Sequence, residues 1–245
     1  MENYGVDLCV ISSSSKGNSY ALVSRKETLL LEAGVSLREV KRMSGYPANI
    51  VGCCISHVHG DHAKYIEEYA KYYPVVCNYD VAEKKEIECI IPNEGKTVYC
   101  GGFSITPFSV KHDVPNYGYL IHHKEMGTLL FATDTDSLPY KFPNINHWLI
   151  EANYSDRILQ DMLKEGKIDK AQKDRIVVSH MSLENCIRNL KASNADFANT
   201  ITLIHLSSRH SNAKEFKDEV VKVFGVPTYI AEPRRIINLN LNGTI

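Results

Sequence analysis

Short apolar, β-branched runs recur along the chain, each closed by turn residues. They are VDLCVIS, YALVS, ETLLLEAG, NIVGCCIS, PVVCN, KTVYCGGFSITPFSV, YGYLIHH, GTLLFATD, HWLIEAN, DRIVVSH, TITLIHLS and PTYIAEP. Most are four to eight residues long, the length and chemistry of strands. YLIHHKEMGTLLFAT reads as a hairpin turning at Lys124 to Gly127. Between the runs lie amphipathic segments: SLREVKRMSG, DHAKYIEEYAKYY, DRILQDMLKEGK, SLENCIRNLKAS and AKEFKDEVVKVFG. The first and fourth open on Ser with Glu three or two residues later, an N-cap arrangement. Helices alternate with strands late in the chain and the middle is hairpin-rich, which predicts a mixed α/β sandwich with sheets inside and helices outside. With no linker and no repeat, one domain over residues 1–245 is expected.

Composition narrows the class. A 44% hydrophobic and 23% charged chain carries enough apolar surface for a core without disulfides. No segment approaches the roughly 18 uninterrupted apolar residues of a membrane span, and no leader pattern opens the chain, so a cytoplasmic, membrane-free protein is expected. Seven cysteines without a C-x-x-C pair fit reduced thiols, most of them small buried hydrophobes. A net charge of −1 argues against an extensive phosphate-binding surface. Nothing in the composition sets an oligomeric state.

Into this framework the chain places Ser56-His57-Val58-His59-Gly60-Asp61-His62. A chance match to H-x-H-x-D-H in a chain of this composition is expected roughly once in a thousand, so the cluster calls for a chemical reason. NIVGCCI leads into it as a strand and DHAKYIEEYAKYY leaves it as a helix. His57 and His59, two apart at a strand end, project to one side. Gly60 is expected to allow a sharp turn, and Asp61 and His62 are displaced enough to serve a second ion. Imidazole and carboxylate together suit zinc or a similar divalent transition metal. Four donors in one loop cannot close two sites. Later donors stand at the ends of apolar runs: His112, Asp134 and His205, with Asp113 the competitor to His112.

These residues carry a resemblance. HVHGDH, the His of VKHDVPNYGY, the Asp of FATDTD and the His of LIHLS resemble the metallo-β-lactamase-fold hydrolases, a four-layer αββα sandwich. With SSSSKGNS, LLLEAG, IEANYSDRIL, SHMSLEN and LIHLSSRHSN in the same order, the chain is similar to the single-domain YycJ/WalJ-type nucleases over nearly its whole length. The resemblance implies that His57, His59 and His112 hold one metal, that Asp61, His62 and His205 hold a second, and that Asp134 bridges them. The ions would be Zn²⁺, or alternatively Mn²⁺, with a bridging hydroxide as nucleophile. Asp61 and His180 are the catalytic candidates, His180 as proton donor to the leaving group, and Glu151 is expected to orient a neighbouring imidazole. Two departures stand out: Glu32 occupies a position that is usually Asp, and His180-Met181-Ser182-Leu183-Glu184-Asn185 replaces a tighter H-L-S-N.

Other polar residues read more plainly. His122, His123 and His147 are expected on the surface or in the hairpin. SSSSKGNS is a weak phosphate-turn candidate. Arg209 and Asn212, between a metal-ligand candidate and a helix start, are the substrate-phosphate candidates. The fourteen tyrosines are scattered, and none is assigned to base stacking. The leading expectation is a dinuclear phosphodiesterase acting as an exonuclease on single-stranded nucleic acid. A phosphodiesterase for a small or cyclic nucleotide is the alternative, and a lactone or thioester hydrolase on the same fold is the third. A relative carrying iron would ordinarily replace an imidazole by an acid, whereas the imidazole set here is full.

Overall fold

The computed structural model describes residues 5–45 and 49–241. In chain order its elements are β1 (Asp7–Ser14), β2 (Gly17–Val23), β3 (Thr28–Leu31), α1 (Leu37–Met43), β4 (Ile50–Cys54), α2 (Gly60–Ala63), α3 (Ile66–Ala70), β5 (Val75–Val76) and α4 (Tyr79–Lys85). There follow β6 (Val98–Cys100), β7 (Phe103–Val110), β8 (Asn116–His123), β9 (Gly127–Ala132), β10 (His147–Glu151), α5 (Asp156–Lys164), α6 (Lys170–Ser179) and α7 (Leu183–Ala192). A 3-10 turn (Ala195–Phe197), β11 (Thr200–Ile204), α8 (Ala213–Phe224), β12 (Thr228–Ile230) and β13 (Ile236–Asn238) complete it.

The strands form two sheets, ordered β13-β1-β2-β3-β4-β5 and β12-β11-β10-β9-β8-β7-β6. Alternation of side chains explains why they stack. In β1, Leu8 and Val10 enter the core between the sheets while Cys9 and Ile11 face a second core under α1 to α4. In β9, Leu129 and Phe131 face the shared core, and Leu130 and Ala132 face a third core under α7 and α8. Both faces of these strands are covered, so they read as continuous apolar runs. The result is helices, sheet, sheet, helices: the αββα metallo-β-lactamase sandwich.

The topology also decides where chemistry can gather. Strands β9, β10 and β11 run parallel, and β7 and β9 are each antiparallel to β8. The carboxyl ends of β7, β9, β10 and β11 therefore lie along one edge, and the loop after β4 of the facing sheet meets them there.

Several elements differ from the sequence reading. DRIVVSH is not a strand but the last part of α6. Asp169 starts that helix with a capping box, its carboxylate accepting the Gln172 N–H at 2.7 Å while the Gln172 side-chain Oε1 accepts the Asp169 N–H at 3.2 Å. No neighbouring strand recruits the β-branched triplet, and α6 buries no residue. DHAKYIEEYAKYY breaks into α2 and α3 because the Tyr65 N–H donates to Ala33 O at 2.9 Å instead of to the preceding turn. KTVYCGGFSITPFSV folds back on itself at Gly101–Gly102 into β6 and β7. Helix α4 and strand β13, both short, have no counterpart among the sequence elements. The β8–β9 hairpin closes at the His123↔Gly127 pair, Gly127 taking φ 74°, and Ser36 and Ser182 cap α1 and α7. Among the described residues no helix is long and apolar enough to cross a membrane.

Candidate metal centre

The loop after β4 folds His57 and His59 together, His57 Nε2 lying 3.1 Å from His59 Nδ1. His112, just beyond β7, brings its Nε2 to 3.3 Å from the same His59 nitrogen. Three imidazole nitrogens thus face one point. In a tetrahedral zinc site with Zn–N of about 2.0–2.1 Å the nitrogens stand about 3.3–3.4 Å apart, so this spacing fits an ion. Burial, then the nearby His62 imidazole, holds His57 well below the usual histidine range, and burial likewise lowers His112. Both are therefore in the neutral form that can donate to a metal.

A second group lies alongside. His62 Nε2 is 2.9 Å from Asp134 Oδ2 and 3.3 Å from Asp61 Oδ2, and His205 Nε2 is 3.4 Å from the same Asp61 oxygen. Donor atoms of Asp61, His62 and His205 lie within 4.8 Å of one another, as do those of His57, His62 and Asp134. Asp134 thus stands at the seam of the two groups. Here burial opposes charge, yet the Asp134 carboxylate keeps His205 raised to about 9 and His62 well above its usual range. Against the same burial, Asp134 is held low by His205 and His62, and Asp61 by hydrogen bonds from His205 and His62. Without an ion, protons on imidazole balance the buried carboxylates; a divalent cation would do so instead. The donor set of imidazole and carboxylate, partly neutral and partly anionic, fits two divalent ions.

Backbone strain marks the same residues. Glu32, Asp134 and His205, each one or two residues past the end of a strand, have φ of 66°, 51° and 53°. Left-handed backbone at a non-glycine residue costs on the order of 1 kcal/mol, and persists where surroundings over-determine it. The Asn116 amide donates to Thr133 O and Asp134 O at 3.0 and 2.9 Å, and Thr133 Oγ1 donates to Asp134 Oδ2 at 3.0 Å. The Asn153 amide donates to His205 O at 2.8 Å, and Ser13 Oγ accepts the His205 N–H at 2.9 Å. Glu32, fully buried, accepts the Ser56 N–H at 3.3 Å and sits 3.5 Å from His62 Nδ1. The residue that departs from the usual Asp therefore still reaches the metal-ligand loop.

Glu151, the last residue of β10, has its carboxylate 2.8 Å from His180 Nδ1 and 3.0 Å from His205 Nδ1. It also accepts the Thr135 and Met181 N–H groups. His180 Nδ1 lies 3.1 Å from Asp134 as well. Burial lowers His180, but the Glu151 and Asp134 carboxylates outweigh it and raise it to about 10. With Nδ1 so held, the Nε2 of this quarter-exposed side chain makes no hydrogen bond among the described residues.

The structure thus brings His57, His59, Asp61, His62, His112, Asp134, Glu151, His180 and His205 into one cluster. Asp113 lies at its rim, 3.1 Å from His112 Nε2 and largely exposed. Arg209 and Asn212 are exposed nearby in sequence to His205, but the Asn212 side-chain oxygen caps α8 by accepting the Glu215 N–H. Two readings need correction. Gly60 has an ordinary φ and open space around it; the close approach belongs to Gly34, where a Cβ would stand 1.9 Å from Asp61 O. His147 is fully buried, because it opens β10 between two parallel neighbours, and bonds Thr200; His122 and His123 do lie in the β8–β9 hairpin, His122 exposed and His123 buried against Phe103. SSSSKGNS is a hairpin whose Ser13 and Asn18 point at the cluster, Asn18 Nδ2 lying 3.1 Å from His62 Nε2. Sequence reasoning missed four buried asparagines, Asn18, Asn78, Asn116 and Asn153. The signal was there: an amide beside an apolar run needs a partner.

No protein-family model matches the chain. It is 26% identical over 242 residues to the exodeoxyribonuclease WalJ of Streptococcus pneumoniae, covering 88% of this chain and 86% of that one. It is 25% identical over 231 residues to the exodeoxyribonuclease YycJ of Bacillus anthracis, covering 86% of each. Its fold matches the metallo-β-lactamase fold protein YhfI of Bacillus subtilis with a TM-score of 0.74 at 18% identity, over 95% of this chain and 99% of that one. In sequence order, architecture and clustered donors, this chain is a metallo-β-lactamase-fold protein resembling the WalJ and YycJ exodeoxyribonucleases.

Proposed function

We propose that the protein is a metal-dependent hydrolase, a phosphodiesterase that removes nucleotides from the ends of single-stranded nucleic acid, with two divalent ions, Zn²⁺ or Mn²⁺. The observation that carries this reading is the convergence of seven donor side chains from four loops on one sheet edge, where His57-His59-His112 and Asp61-His62-His205 each come together and Asp134 groups with His57 and His62, one from either set. His57, His59 and His112 would hold one ion, Asp61, His62 and His205 the other, and Asp134 both. Such ions supply a water acidified to near neutral pH and polarise a phosphoryl oxygen.

The chain's own residues supply the rest. Glu151 fixes the His205 and His180 rings, and Ser56 Oγ, 2.9 Å from His57 Nδ1, fixes a third. His180, its Nδ1 engaged by Glu151, offers Nε2 as the proton donor to a departing sugar oxygen. The exodeoxyribonuclease names of the curated relatives WalJ and YycJ support a nucleic-acid substrate, and the core between the two sheets, flanked by one core under each helix layer, accords with a single domain. Arg209, exposed beyond His205, is the candidate contact for a substrate phosphate.

The net charge of −1 favours a second reading, hydrolysis of a small or cyclic nucleotide, which needs no basic track. Lys111, the cation nearest His112 in sequence, is already paired with Asp136 at 2.8 Å. Zinc- or manganese-loaded protein should be offered end-labelled single-stranded DNA, RNA and a cyclic dinucleotide. Release of mononucleotides from a strand end, with circular single strands spared, is the expected result. Binding to oligonucleotides should lose about 0.7 log units per log unit of salt for each phosphate engaged, with two or three engaged. Turnover of the cyclic dinucleotide alone would move the assignment to the second reading, and internal cutting of circles would remove the end-directed one.

A further inference from the structure

Cys77 follows β5 directly and Cys89 lies in the segment that returns past it. Their sulfurs are 3.1 Å apart, although both are free thiols. The backbone holds them there: Val76 and Ile90 form a parallel bridge, the Cys77 N–H donates to Ile90 O at 3.1 Å, and the Ile90 N–H donates to Val75 O at 2.8 Å. Closing to a disulfide, whose S–S bond is about 2.0 Å, asks for about 1 Å of side-chain movement. The adjacent pair Cys53 and Cys54 offers no such route, since one faces the core under α1 to α4 and the other the core between the sheets.

We propose that Cys77 and Cys89 are a redox-active dithiol, which closes to an intramolecular disulfide by exchange with a small-molecule disulfide and clamps α4 to the edge of the first sheet. Cys89 is partly exposed and receives the oxidant; Cys77 is buried and resolves. The Cys89 thiolate attacks one sulfur of the oxidant and displaces the other half as a thiolate. Cys77 then loses its proton and attacks Cys89 Sγ, displacing the second half. Two protein thiols give up two protons and two electrons, one S–S bond forms, and the oxidant becomes two thiols.

The linked loop contains α4 and Asn78. The Asn78 amide donates to Ser56 O and Pro115 O at 3.0 and 2.9 Å, tying the loop that carries His57 to the loop that carries His112. The dithiol is thus built beside a residue that steadies the candidate metal centre, although its chemistry does not depend on the hydrolase reading.

The test is to equilibrate the full chain with oxidised glutathione in excess over reduced. The mass should fall by two hydrogen atoms, five of the seven thiols should remain titratable in denaturant, and peptide mapping should join Cys77 to Cys89. Closing the loop between them should raise Tm by roughly 5 °C, reversibly with dithiothreitol. Cys89→Ser, at a partly exposed position, should abolish both changes, and Cys77→Ala should do the same. Seven thiols retained, a glutathione adduct on Cys89 without the cross-link, a cross-link through another pair, or no gain in Tm would each overturn the proposal.

Discussion

The two halves of the candidate centre are built from the same kinds of donor and yet stand in opposite electrostatic states. Around His57, His59 and His112 burial outweighs the pull of the Asp134 carboxylate and keeps His57 and His112 neutral. His62, His205 and His180 lie among Asp61, Asp134, Glu151 and Glu32, and those carboxylates hold all three imidazoles above their ordinary range. One half is ready to accept an ion as it stands. The other must first give up protons. A site with two such halves can load its ions unequally, and it can keep one imidazole, His180, as an acid while its neighbours serve as donors.

Asp134 sits where the halves touch, so its loss should have the largest effect. Asp134→Ala is expected to strip both ions and reduce hydrolysis to that of metal-free protein. Metal content and turnover measured on the same sample check this; retention of both ions would break the division at that residue.

His180 offers the next largest effect. His180→Ala should keep the metal content and lower turnover by about 10² to 10⁴-fold on a nucleotide leaving group, with a smaller loss on bis-p-nitrophenyl phosphate, whose leaving group needs less protonation. Equal losses on both substrates would remove the acid role, and loss of metal would make His180 a ligand.

Proton coupling should separate the halves more gently. His62 and His205 donate to a metal only as neutral rings, so below about pH 9, where His205 retains its proton, affinity in the carboxylate half should fall about tenfold per pH unit for each proton displaced. The imidazole half, where burial already keeps His57 and His112 neutral, should lose less affinity over the same range. Calorimetric titration at several pH values would show two phases that separate as the pH falls; two phases with a common slope would deny the asymmetry.

How much of this was legible in the chain follows from where the information is local. The H-x-H-x-D-H loop, the donors at strand ends and the alternating runs are local signals; the runs alone gave a mixed sandwich with helices outside, and the four-layer αββα order came with the family resemblance that the motifs carry. The Ile176-Val177-Val178 run misled because β-propensity is realised only beside another strand, whereas the Asp169–Gln172 capping box is set within four residues. The left-handed backbone at Asp134 and His205 had no local signal, and the asparagines that pin it were legible only as amides in need of a partner, not as to which partner. They join residues far apart in the chain, as Ser13 and His205 show. The departure at Glu32 was visible, but its reach to Ser56 and His62 depends on the fold.

The central claim is that this edge of the sandwich holds two ions in two separable halves. Native mass spectrometry with elemental analysis, on protein saturated with zinc or manganese, tests it most directly, with His59→Ala alongside because that side chain is 38% exposed and its removal should leave the fold intact. Two ions per wild-type chain, and one ion with hydrolysis lost together in a folded His59→Ala variant, is the predicted result. No more than one ion in well-folded wild-type protein would contradict the account.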